Sequence, residues 1–132
     1  MAQRLFTLAE ANAELAEVGP LVAEMVARRR TLLESQARRA EVLGEIAGNG
    51  GGIPPSELGD LAEEEERAAE ALAEAIARIH ERGVLVKDLD AGLVDFPTIR
   101  DGEEVLLCWR LGEDAIRFWH GVDEGFAGRK PV

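Results

Sequence analysis

Between residues 48 and 56 the chain reads Gly48-Asn49-Gly50-Gly51-Gly52-Ile53-Pro54-Pro55-Ser56, and this run decides what its flanks can build. Four glycines leave the backbone too free for regular structure and two prolines withhold amides, so the segment is a turn. On either side apolar residues recur at helical spacing. Leu8, Ala11, Leu15, Val18, Val22 and Met25, then Leu32, Leu43 and Ile46, form one stripe, interrupted by Arg29, Gln36 and Arg39; Leu58, Leu61, Ala68, Ala69, Leu72, Ile76 and Ile79 form a second. Two such helices about one turn predict an antiparallel helical hairpin of coiled-coil type over residues 1–83.

The helix ends are marked. Thr7-Leu8-Ala9-Glu10 is a capping box, with Phe6 and Ala11 as a weak staple, so the first helix begins at Leu8. Pro20 removes an amide and clashes with the carbonyl of Ala16, which predicts a break or kink. Ser56 or Asp60 can cap the second helix, which runs to Arg82 with Gly83 as a left-handed stop. As helices, residues 21–47 and 57–82 would each be about 40 Å long, against about 36 Å for the diameter of a compact globule of this length. The hairpin is therefore expected to project. Its Ala-rich stripes cover little of each other, and a second copy would cover the rest, so the expected assembly is a homodimer through the hairpin.

After Gly83 the period changes to two. Residues 84–132 hold five of the six aromatics and the single cysteine. Val84-Leu85-Val86 and Leu93-Val94-Asp95-Phe96-Pro97 read as strands around a turn at residues 88–92. Arg100-Asp101-Gly102-Glu103 is a hairpin turn, because Asp-Gly supplies positive φ cheaply. Val105 to Arg110 is a strand with Val105, Leu107 and Trp109 on one face and Leu106, Cys108 and Arg110 on the other. Ala115 to His120 has the length of a fourth strand or of one and a half helical turns, and a strand is the preferred expectation. The fold class is α+β: the hairpin, then a small three- to four-stranded antiparallel β-meander, packed as one domain with the helix roots. Trp109, Trp119, Phe96 and Phe118 supply about what such a sheet needs to bury a hairpin, which outweighs an aromatic cage or a base-stacking platform.

Charge and cysteine content narrow the setting. Twenty-six acidic against 15 basic side chains give a net charge of −11, which repels polyphosphate and argues against a general nucleic-acid binder. Arg28-Arg29-Arg30 and Arg38-Arg39 are the basic clusters; consecutive residues fan around a helix, and salt bridging to the Glu-rich second helix suits them better than phosphate contact. One cysteine forms no internal disulfide, and a reducing, cytoplasmic location fits it. Residues 1–7 lack an apolar core of signal-peptide length and no apolar run spans a bilayer, so neither secretion by that route nor membrane insertion is expected.

Reactive side chains concentrate in residues 95–129. Asp95, Cys108, Arg110, His120, Glu124 and Arg129 are the ligand-binding candidates, with Glu113 and Asp123 nearby. Cys108, His120 and a carboxylate from Asp95, Asp123 or Glu124 have the types of a mixed zinc or iron site. No Cys-x-x-Cys or His-x-x-x-His spacing accompanies them, so a buried structural cysteine and a carboxylate-bonded histidine are the simpler expectation, and neither metal nor cofactor is assigned. Cys108 with His120, oriented by Asp95 or Glu124, has the types for thiol activation, but a mid-strand thiol between Leu107 and Trp109 is expected to be inaccessible. Arg110 and Arg129 could receive an anion; against this, Arg129 could latch the tail internally to Asp123, Glu124 or Asp95.

The segments Lys87-Asp88-Leu89-Asp90-Ala91-Gly92-Leu93-Val94-Asp95-Phe96-Pro97, Leu107-Cys108-Trp109-Arg110-Leu111-Gly112-Glu113, Trp119-His120 and Asp123-Glu124-Gly125-Phe126-Ala127-Gly128-Arg129 resemble the bacterial domain-of-unknown-function family 2203. The opening Phe6-Thr7-Leu8-Ala9-Glu10-Ala11-Asn12 is similar to that family's start. The resemblance implies no particular activity. The residues themselves favour a non-enzymatic homodimeric interaction module, open to a further protein partner, over a ligand-, anion- or metal-binding protein or enzyme built on the sheet and tail.

Overall fold

A computed structural model describes residues 3–49, 52 and 55–132. Helix α1 spans Leu8–Asn49 and α2 spans Pro55–Glu81; five strands follow, β1 (Leu85–Asp88), β2 (Leu93–Arg100), β3 (Glu103–Arg110), β4 (Phe118–Gly121) and β5 (Lys130–Pro131), with a 3-10 turn at Phe126–Gly128 before the last. Of the turn expected at 48–56, Gly50, Gly51, Ile53 and Pro54 lie outside the described residues. No helix among the described residues is long and apolar enough to cross a membrane.

The capping box forms as read: the Thr7 amide donates to Glu10 Oε1 at 2.8 Å and the Glu10 amide to Thr7 Oγ1 at 3.0 Å. The break expected at Pro20 is not found, since one helix of 42 residues runs through it. Pro20 and Ala16 both face solvent, where water can take up the freed carbonyl, while Val18, Val22 and Met25 anchor the helix on its buried side. The second helix begins at Pro55 instead of after Ser56 or Asp60, a first-turn position where the missing amide costs nothing. Gly83 ends the hairpin at φ 82°. Arg38 pairs with Glu64 and Arg39 with Glu65 across the two helices, the role expected of this cluster, whereas Arg28 pairs with Glu24 of its own helix and Arg29 with Asp90 of the turn after β1.

The sheet is an antiparallel meander in the order β1-β2-β3-β4-β5, one strand more than expected. Asp101 and Gly102 turn β2 into β3 at φ 52° and 81°. The strand expected over Ala115–His120 starts only at Phe118, because the preceding residues leave the sheet for α1: the Ile116 amide donates to Asn12 Oδ1 at 2.8 Å and its side chain enters the core.

One core joins helices and sheet. Val18, Val22 and Met25 of α1 and Leu72 and Ile79 of α2 cluster with Val94, Phe96, Leu107 and Trp109. Phe6 fastens the start of α1 to β2, its amide donating to the Pro97 carbonyl at 2.8 Å and its ring meeting Phe96 edge-on at 5.2 Å. Beyond Ser35 no described residue of α1 is buried.

Candidate functional site

Cross-strand partners share a face of a sheet, so the register decides which side chains meet. Asp95 opposes Cys108, which opposes Phe118; Pro97 opposes Leu106, which opposes His120. These residues point away from the helices. Val94 and Trp109, and Phe96, Leu107 and Trp119, point toward them. Phe118, expected in the core, therefore lies on the outer face.

Asp95, Cys108 and His120 converge there. All three are buried, and a carboxylate oxygen, the thiol sulfur and a ring nitrogen lie within 4.8 Å of one another. His120 Nε2 is 3.0 Å from Asp95 Oδ1, and its Nδ1 is 2.9 Å from the carbonyl of Gly121. A carbonyl only accepts, so Nδ1 carries a proton and a neutral ring turns the Nε2 lone pair toward Asp95. That contact is attractive only with a further cation between the two atoms, and in the free protein this is a shared proton. The second oxygen, Asp95 Oδ2, is buried with no hydrogen-bond partner.

Burial raises the pKa of Asp95 above the ordinary carboxylate range, against the opposing pull of His120. Burial, and then the charge of Asp95, push the Cys108 thiol up to about 11, although Arg129 works the other way. Cys108 is therefore a protonated thiol at neutral pH and not an activated nucleophile.

Two of the three, Asp95 and His120, reach a cleft, and Cys108 does not line it. This cleft of about 260 Å³ is lined by Lys87, Asp88, Leu93, Asp95, His120, Glu124, Gly125 and Phe126. Glu124 accepts from the Gly121 amide at 2.9 Å and from Lys130 Nζ at 2.6 Å, and these contacts, Lys130 foremost, hold its carboxyl below the ordinary range. Arg129 lies over the rings of Phe118 and Phe126 at 4.2 and 4.6 Å and donates to Glu113 Oε1 at 2.6 Å and to the Cys108 carbonyl at 3.2 Å.

Of the six candidates, Asp95, Cys108 and His120 form the centre, Glu124 its rim, and Arg129 the clasp of the tail. Glu113, rather than Asp123, Glu124 or Asp95, is the partner of that clasp. Arg110 stands apart, exposed on a neighbouring cleft with Phe126; with Arg129 already engaged, the two do not form an anion fork. Sequence reasoning missed Lys87, Leu93 and Phe126 as cleft walls, though Leu93 is in register for that face, two residues before Asp95.

A family model described as an uncharacterized conserved protein, DUF2203, matches residues 4–132, so the resemblance read from the sequence holds over nearly the whole chain. No curated protein and no solved structure gave a match.

Proposed function

We propose that this chain, which belongs to the DUF2203 family, is a small-ligand-binding protein whose site is the cleft above Asp95, Cys108 and His120. The supporting observation is Asp95 Oδ2: it is buried without a partner on a side chain that lines an open cleft. Leaving a buried acceptor unsatisfied costs about 1–3 kcal/mol, more when it is charged, so a residue kept only for stability would be paired or apolar. The ligand accordingly brings positive charge or hydrogen-bond donors to Asp95. Thiol catalysis is not part of this reading, because Cys108 is protonated at neutral pH. A reducing cytoplasm, which preserves the free thiol, belongs to it.

Asp95→Asn tests the reading. The amide can donate to His120 Nε2 without a buried charge, so urea denaturation should show stability unchanged or raised by about 1 kcal/mol. A loss of about 3 kcal/mol or more would make the Asp95–His120 pair a structural element and reject the binding reading.

A second reading concerns the hairpin. Leu33 and Leu43 of α1 are 42% and 46% exposed, which favours a homodimer formed along the distal hairpin. Light scattering at micromolar concentration should give twice the chain mass; a monomer rejects the dimer.

A further inference from the structure

We infer that Asp95, Cys108 and His120 are the ligands of a divalent transition-metal ion of the zinc class, with the cleft giving access to its remaining coordination position. The inference rests on the binding reading and names its ligand.

Geometry comes first. Zinc bonds of about 2.0–2.3 Å in a tetrahedron hold donor atoms roughly 3.3–3.8 Å apart. Three donors already within 4.8 Å of one another close onto such an ion by small side-chain movements, with the strands fixed in their register. Each donor comes from a different strand, β2, β3 and β4, so the sheet itself is the template.

The surroundings point the same way. His120 gives its Nδ1 proton to the Gly121 carbonyl, the kind of outer contact that fixes the tautomer and aim of a metal-binding imidazole. Its Nε2 faces Asp95 Oδ1 at 3.0 Å, while Asp95 Oδ2 is buried without a partner. A cation that replaces the proton between the two side chains satisfies that oxygen as well.

Charge balances as well. One carboxylate, one thiolate and one neutral imidazole carry two negative charges, which a dication neutralises, the protons it displaces leaving to solvent. No oxidant or reductant is involved. The charged groups facing this centre are Lys87 and Asp88 from β1 and Glu124 and Arg129 from the tail, and Glu124 is itself paired to Lys130. Thiolate with imidazole selects zinc, cobalt or iron(II) over magnesium and calcium.

The test is titration of the full, tag-free chain, stripped with a chelator, with Co²⁺ as a spectroscopic stand-in and Zn²⁺ as competitor. The expected result is one ion per chain, thiolate-to-cobalt charge-transfer absorption with tetrahedral d–d bands, bleaching by Zn²⁺, and no displacement by excess Mg²⁺. Cys108→Ala should abolish the charge-transfer band, and Asp95→Asn should weaken binding at least tenfold with circular dichroism unchanged. Absence of Co²⁺ and Zn²⁺ binding overturns the inference, and the binding reading then stands or falls separately on the stability of Asp95→Asn. Binding that persists unchanged in Cys108→Ala overturns it too, because the ion would then sit on the acidic surface.

Discussion

The two faces of β2, β3 and β4 are made from alternate residues of the same strands, and both bury side chains, yet only one of them buries ionisable groups. Val94, Phe96, Leu107 and Trp109 meet the helices as an apolar layer. Asp95, Cys108 and His120, their immediate neighbours, meet one another and a short tail. A layer built for stability excludes polar groups, because each needs a partner. The outer layer instead concentrates them and leaves one oxygen without any. The contrast separates the part of the sheet that holds the fold from the part that holds chemistry.

The comparison can be broken most directly at Phe96. Its side chain is fully buried against Phe6, so Phe96→Ala should lose about 4 kcal/mol in urea denaturation; a loss under about 1 kcal/mol would mean that the inner face does not carry the fold. The outer face is sharpened by pH. The Cys108 thiol is raised from 9.0 to about 11 in the folded chain, so above pH 9 the unfolded chain releases a proton that the folded one keeps. Stability from this group is complete below pH 9 and declines as pH rises toward 11, by about 3 kcal/mol in all. In metal-free protein Cys108→Ala should flatten that part of the stability profile; an unchanged slope would mean that the thiol is not held in a low-dielectric site. The smallest effect is expected at the tail. Arg129→Ala removes the guanidinium from Glu113, which keeps the Arg110 amide as a donor, and from the Cys108 carbonyl, and should cost about 2 kcal/mol while speeding thiol labelling of native Cys108. Labelling at the unaltered rate would show that Arg129 does not cover the outer face.

Much of the framework was legible because its signals are local. The capping box at Thr7 and Glu10, the Asp101-Gly102 turn and the Gly83 stop each depend on a few adjacent residues, and the alternation from Val105 to Arg110 assigned both faces of β3. What failed depended on distant partners. Pro20 reads as a breaker until Val18 and Val22 are seen gripping the helix beside it, and the start of β4 slipped because Asn12, far away in α1, draws Ile116 out of the sheet. The site was half legible. Its residue types stand out in the sequence, but their convergence does not, because three neighbouring strands each contribute one residue and no short spacing marks the group. The Gly121 carbonyl that sets the imidazole tautomer, and the missing partner of Asp95 Oδ2, have no sequence signature.

The neighbour-to-neighbour order of the strands has a kinetic consequence. Every pairing in the sheet joins segments consecutive in the chain, so each closes a short loop at small entropic cost. Asp95, Cys108 and His120 are thus brought together by nearby hairpins alone, whereas seating Phe6 against Phe96 joins segments separated by most of the chain. The slow search in folding falls on docking the start of α1, and the pocket's three strands can find their register before that search ends.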